Sequence, residues 1–267
     1  MDDIKRYAAY SMAAYSNIQP GGKFNCNSCR DPLLSGTTIV KSFVNEIPSS
    51  HGFIATNSNQ KTIIICFRGT IDPVSFIQDA VLVPVPFPSN SNGGSKVHAG
   101  FLAAYRSVDD IIKDTLKDLL KKHPDYTVVF TGHSLGGAEA LIAAVDIATA
   151  TDIIPSACTV RYFGIGIPRT GNSAFAKLVN NARFEVVRTN NKADLVPRLP
   201  PRGAIFDYKH PDQEVWIRPF TGDVKVCNKA AGAEATEDES CINSVPALLL
   251  SVPDHLLYFN YAPDFLH

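Results

Sequence analysis

The segment from Thr127 to Ala148 constrains this chain more than any other. Its first part, Thr127-Val128-Val129-Phe130-Thr131, is a short β-branched and aromatic run of the kind that forms a buried strand. Gly132, Ser134 and Gly136 follow as a G-x-S-x-G pattern, and Ala138 to Ala148 is a run of strong helix formers. A strand, a sharp turn and a helix in that order put the turn residue in a strained backbone. They also demand small neighbours, because strand and helix approach closely there. The Ser134 hydroxyl is then held out over a sheet at the positive end of a helix, where developing negative charge is stabilised. The plain alternative is a glycine-rich turn carrying a surface serine. A phosphate loop is a weaker rival, since no lysine follows the glycines as that motif demands.

The rest of the chain supplies strands and helices in alternation. Asp3 to Ser16 is amphipathic, and the strand candidates Thr37–Val44, His51–Asn57 and Lys61–Phe67 follow a polar loop. Asp72 can cap a short helix begun by Pro73, with Val74, Phe76 and Ile77 on an apolar face and Ser75, Gln78 and Asp79 polar. The apolar run Ala80 to Pro88 is broken by prolines and cannot be an ordinary central strand. Phe101 to Lys122 reads as one long amphipathic helix ended by His123-Pro124. After the Ser134 segment come strand Thr159–Phe163, helix Ser173–Asn181 and strand Phe184–Thr189. This alternation predicts an α/β protein with a mostly parallel sheet and helices packed on it, residues 1–267 forming a single domain.

Several function classes are disfavoured. With 267 residues, 45% of them hydrophobic, a large core is available, and the formal net charge of -1 without a basic block argues against nucleic acid. No apolar run reaches membrane-spanning length, and the N-terminus lacks the apolar core of a signal peptide. Of the six cysteines, Cys26 and Cys29 share a polar loop, and Cys227 and Cys241 flank an acidic, alanine-rich one. Both pairs are expected to be disulfides; the second closes a loop of about 15 residues, worth about 3 kcal/mol in the chain-entropy account. Cys66 and Cys158 lie in apolar runs and are expected as buried thiols. The N-terminus fits either a cytosolic protein or a mature form with an added initiator methionine, and the cysteine usage favours a secreted protein whose signal and any propeptide are absent from this chain. A lone C-x-x-C makes zinc a poor reading, and no metal or cofactor is expected. Gly164-Ile165-Gly166 resembles a dinucleotide loop, but Arg169 stands where the third glycine belongs. The acids from Glu234 to Glu239 read as a solvated loop.

If Ser134 is a nucleophile, an acid and then a histidine should follow it in the chain. Asp194 lies just past the strand ending near Thr189, with Asp207, Asp212 and Asp223 as rivals in later irregular segments. Of the later histidines, His267 is terminal, His210 lies in a polar turn, and His255 precedes the apolar run Leu256-Leu257-Tyr258-Phe259 that can anchor it. His98 and His133 read as structural, His51 and His123 as surface residues. In this scheme His255 takes the Ser134 proton and Asp194 orients the imidazole. The Leu135 N–H and the loop after Phe67, at Thr70, supply oxyanion donors.

The motifs Phe67-Arg68-Gly69-Thr70, Val97-His98-Ala99-Gly100-Phe101, Thr131-Gly132-His133-Ser134-Leu135-Gly136-Gly137-Ala138, Pro168-Arg169-Thr170-Gly171-Asn172, Asp194-Leu195-Val196-Pro197-Arg198 and Asp254-His255-Leu256-Leu257-Tyr258-Phe259 occur in this order. With them the chain resembles the fungal class 3 triacylglycerol lipases over nearly its whole length. The resemblance implies an α/β-hydrolase fold, the triad Ser134, Asp194 and His255, an oxyanion hole at Thr70 and Leu135, and a helical lid near Pro73 to Asp79. It also implies secretion and acylglycerol substrates met at an oil–water interface. When such a lid opens, Val81, Leu82, Val83 and Phe87 are candidate walls for an acyl chain. Two departures stand out: Val74 and Phe76 replace the tryptophan and arginine frequent in family lids, and no cysteine follows Cys241 to tie the termini together. Related feruloyl esterases, mono- and diacylglycerol lipases and a non-catalytic binding module share the fold and remain alternatives. The apolar lid face favours lipid. Acyl-chain length, regioselectivity and oligomeric state are not fixed by the sequence, which is compatible with a monomer.

Overall fold

The computed structural model describes residues 1–21, 24–47, 49–71, 83–89, 94–150, 152–203, 207–228 and 237–264. Helix α1 (Asp2–Ala13) opens the chain, followed by strands β1 (Thr37–Glu46), β2 (Ser49–Asn57) and β3 (Thr62–Phe67). Short strands β4 (Pro84–Pro86) and β5 (Lys96–His98) precede helices α2 (Ala99–Arg106) and α3 (Asp109–Lys122). Then come β6 (Thr127–His133), α4 (Leu135–Ala148), β7 (Val160–Ile165), β8 (Gly171–Asn172), α5 (Ser173–Asn180) and β9 (Glu185–Asn191). Strands β10 (Tyr208–Lys209), β11 (Glu214–Ile217) and β12 (Val224–Val226) complete the strands and α-helices among the described residues.

The main sheet has eight strands in the order β1-β2-β3-β6-β7-β9-β11-β12. Its centre, β3 through β11, is parallel, and the two edges are antiparallel. Every residue of β3 is buried, as expected of a parallel strand covered on both faces. Alternation along the strand sends Ile63, Ile65 and Phe67 to the core under α2, α3 and α4, and Ile64 and Cys66 to the smaller core under α1. Tyr7 of α1 stacks on Phe163 of β7, with ring centroids 4.4 Å apart.

Several sequence expectations need correction. The predicted long helix Phe101–Lys122 is two helices, because Val108 leaves helical geometry (φ −130°, ψ 0°) and the Ser107 hydroxyl bonds back to the Ala104 carbonyl. Asp109 and Asp110 then begin a new helix, where acids favour the N-terminus. The segments after Asp194 hold three strands that are too short for a period to be visible in the sequence. The proline-broken run contributes β4, the edge of a separate four-stranded antiparallel sheet of order β10-β8-β5-β4, where missing amide donors are tolerated. Cys158 is only half-buried and lies just before β7, and His51 is half-buried. Glu237 is not solvated: it is buried in a two-pronged ion pair with the equally buried Arg169, with N–O distances of 2.8 Å. Both expected disulfides are present, Cys26–Cys29 and Cys227–Cys241. The expected lid residues Pro73, Val74, Phe76, Ile77 and Asp79, the wall candidates Val81 and Leu82, and His267 lie outside the described residues.

Candidate active site

The turn between β6 and α4 has the strained geometry its sequence implies. Ser134 has φ 58° and ψ −131°, a left-handed conformation that a side chain disfavours. The close approach behind it requires glycine. A Cβ on Gly132 would stand 2.5 Å from the Gly136 carbonyl carbon, and one on Gly136 would stand 2.5 Å from the Phe67 carbonyl oxygen. The Ser134 N–H donates to the Ile165 carbonyl at 2.9 Å, which ties the turn to β7. Leu135 is the first residue of α4, so its N–H belongs to the first helical turn and needs no partner within the helix.

His255 ends a short helical turn, Pro253–His255, and its Nδ1 lies 2.9 Å from Asp194 Oδ2. Asp194 also accepts the Tyr258 hydroxyl at 2.5 Å and the Val196 N–H at 2.8 Å. Ser134, Asp194 and His255 are all fully buried. Ser134 Oγ and His255 Nε2 are buried without a hydrogen-bond partner among the described residues. These two atoms are the ones a serine–histidine proton transfer would use, and such contacts are often long before substrate binds.

The surroundings set protonation states. Burial and the Asp194 charge push the Tyr258 hydroxyl well above its ordinary range, so it stays a donor to that carboxylate. His133 lies with its ring centroid 4.4 Å from that of His255. Burial, then the nearby His255 charge, hold its pKa well below the usual histidine value. A neutral His133 can accept the Tyr15 O–H at Nδ1, 2.7 Å, and donate from Nε2 to the His255 carbonyl, 2.8 Å. It therefore braces the His255 backbone without adding a second positive charge. Glu139, one turn into α4, accepts the Ser50 hydroxyl, and burial raises its carboxyl to about 8.

Thr70 and Leu135 line one cavity of about 240 Å³, together with Arg68 and His51. Gly69 holds this loop against the turn: a Cβ there would meet the His133 carbonyl oxygen at 2.7 Å and Ser134 Cβ at 3.1 Å. Val83 is partly exposed, and Phe87 is buried against Phe175, at a ring distance of 6.2 Å.

The rival acids and bases are elsewhere. Asp207 bonds Ser173, Asp223 pairs with Arg218, and the Asp212 N–H donates to Asn180. His210 is buried rather than in an open turn, with Nε2 2.9 Å from the Pro197 carbonyl oxygen. His98 caps α2 through Nδ1, which accepts from the Gly100 and Phe101 N–H groups. The three-residue cluster Glu214, Cys227 and Cys241 is no thiolate metal site, because its two sulfurs are bonded to each other. Tyr258, His133 and Asn191 were not singled out as partners of the site from sequence. Tyr258 sits in the same apolar run that marked His255, which is the one signal that could have found it.

The family model described as "Lipase (class 3)" matches residues 64–204. A lipase of Rhizopus niveus is 34% identical over 261 residues, spanning 97% of this chain. The chain covers 64% of that relative's length. The secreted mono- and diacylglycerol lipase A of Penicillium cyclopium is 30% identical, over 97% of this chain and 84% of its own length. The crystal structure of a lipase from Rhizopus microsporus var. chinensis superposes with a TM-score of 0.87 at 34% identity, covering 98% of this chain and 88% of the other. A triacylglycerol lipase described as having a serine protease triad at its catalytic centre gives 0.86 at 34% identity, covering 99% and 96%. These structures identify the fold as that of the α/β-hydrolases.

Proposed function

The chain belongs to the class 3 lipase family, and we propose that it is a secreted triacylglycerol lipase acting through Ser134, His255 and Asp194. The observation that carries this reading is the buried Asp194–His255 pair, with an imidazole nitrogen and a serine oxygen on a strained turn that have no hydrogen-bond partner among the described residues. His255 Nε2 takes the Ser134 proton as Oγ attacks the ester carbonyl. The oxyanion that forms is held by the Leu135 N–H and by Thr70. The protonated imidazole, stabilised by Asp194, then protonates the leaving alcohol. Water, activated by the same histidine, hydrolyses the acyl-enzyme. Tyr258 donates to the same Asp194 oxygen that faces His255 Nδ1, which lowers its basicity, so the carboxylate orients the imidazole and does not take its proton.

The acylglycerol preference rests on the relatives' names and on the apolar side chains at Val74, Phe76 and Ile77. Secretion is supported by the two disulfides and by the secreted Penicillium relative. No described helix is long and apolar enough to cross a membrane. The test is turnover of a short triacylglycerol across its solubility limit. A lipase whose apolar face exchanges water for lipid gives a sharp rise at the limit, and Phe76→Ser with Ile77→Ser blunts that rise while sparing a small soluble ester. Smooth saturation through the limit, with strong turnover of methyl ferulate, would replace this reading with that of a feruloyl esterase.

A further inference from the structure

A second cavity, of about 660 Å³, lies between the β11–β12 hairpin and the segment 244–254, within the size range of small-molecule pockets. Its walls include Trp216, Pro219, Phe220, Val245, Pro246 and Leu249. Two of these are left open to water: Phe220 is fully exposed and Leu249 is 59% exposed. Phe220 is also held at φ 69°, a conformation that is costly for a bulky side chain. The Arg218–Asp223 ion pair braces the hairpin tip that presents it. An exposed aromatic ring on a strained turn beside an apolar hollow offers a surface that an apolar chain can cover.

The polar lining selects the ligand's head. Thr221 bonds to Asp223, Ser244 donates to the Cys241 carbonyl, and Asp254 accepts the Ala193 N–H at 3.2 Å. Lys192 uses its backbone N–H and carbonyl, toward Ile217 and Trp216, but its ammonium forms no ion pair among the described residues. Of the two charged side chains in the lining, neither forms an ion pair among the described residues; Asp254 holds the Ala193 N–H, and Lys192 is the cation available to an anionic head beside the apolar wall. We propose that this cavity binds a long-chain fatty acid, its chain along Trp216, Phe220 and Leu249 and its carboxylate on the Lys192 ammonium. Ala193 and Asp254 also line it, and they adjoin Asp194 and His255 in the chain, so the bound acid lies against both segments that carry the acid and the base. That the acid is the enzyme's own product rests on the function proposed above; the site itself does not.

Trp216 is the single tryptophan of the chain, so its fluorescence reports this cavity alone. The experiment titrates the full chain, carrying Ser134→Ala to prevent turnover, with a dibrominated long-chain fatty acid below its micelle concentration. Saturable contact quenching is expected. Leu249→Asp and Phe220→Asp, both at exposed positions, should each weaken it by about tenfold or more. Lys192→Met should weaken the acid by about fivefold and leave the methyl ester of the same acid unchanged. Quenching that fails to saturate, or that survives both wall variants, overturns the site. Equal effects of Lys192→Met on acid and ester, or none on either, overturn the fatty acid as occupant. The readout needs no hydrolysis, so an inactive parent protein and an empty cavity are separate results.

Discussion

Ser134 and His255 are held by different physics. Ser134 stands between two regular elements, where contacts between backbones leave no alternative: Gly132 against Gly136, and Gly136 against Phe67. His255 stands in an irregular segment of short helical turns and single bridges, held by hydrogen bonds from distant parts of the chain. Asn191 Nδ2 donates to the carbonyls of Asp254 at 3.0 Å and Leu257 at 2.7 Å. The Ser251 N–H donates to the Ala193 carbonyl at 2.8 Å, and His133 reaches the His255 carbonyl at 2.8 Å. A residue placed by steric exclusion tolerates almost no added atom, whereas one placed by a polar network tolerates small losses one bond at a time. The two sides should therefore fail differently under mutation.

The largest effect is common to both sides. On the proposed roles, Ser134→Ala, His255→Ala and Asp194→Asn each lower kcat by about 10⁴-fold or more, and pairs of them are far from additive because the three act as a unit. Steady-state kinetics on a soluble ester measures this. If His255→Ala left the rate intact, the base would have to be sought elsewhere.

The elbow side breaks next. Gly136→Ala places a methyl 2.5 Å from the Phe67 carbonyl oxygen and 2.6 Å from the Arg68 backbone, neither of which can rotate away. Unfolding in urea should show a loss of about 3 kcal/mol, the upper end for overpacking, with activity lost in the fraction that still folds. A neutral outcome would mean that the elbow is looser than its backbone contacts imply.

The histidine side should lose function before stability. Tyr258→Phe removes one donor from Asp194 and the acceptor of the Asn191 N–H, which reaches the hydroxyl at 3.1 Å. A hydrogen bond to a charged group is worth about 1.5–3 kcal/mol, so kcat should fall by about 10- to 100-fold, with KM little changed. A rise in KM alone would place Tyr258 in substrate binding and remove the contrast drawn here.

The most gradual effect concerns Glu139, behind the elbow. Its buried carboxyl titrates at about 8 in place of 4.5, so the folded protein keeps a proton that the unfolded chain releases. Its contribution to stability is therefore complete below about pH 4.5, declines as pH rises, and levels off above about 8, at up to about 1.4 kcal/mol per pH unit. Glu139→Gln can keep the Ser50 hydrogen bond and lacks the titration. The difference in unfolding free energy between parent and variant should slope across this window and flatten on either side of it. Parallel curves would show that Arg68 and Ser50 already compensate the ionised carboxylate.

Sequence alone settled what depends on local sterics and local composition. The strand–turn–helix around Ser134, the parallel alternation, the two disulfides and the exclusion of Pro84 to Pro88 from the central sheet follow from residues close together in the chain. The pairing of Asp194 with His255 was also legible, because order along the chain and the apolar run after His255 narrowed the choices. Tertiary structure decided the rest. Nothing local distinguishes Glu237 from its acidic neighbours; only the arrival of buried Arg169 gives that carboxylate a partner inside the protein. Nothing local makes Asn191 a brace for His255 or His133 a neutral spacer beside it. The break at Val108 and the short strands β10 to β12 depend on what packs against them. Hydrophobic period and glycine placement act within a few residues, and so they can be read along the chain. A hydrogen bond or ion pair buried between distant segments has no such period, and it exists only once the fold has removed water from both partners.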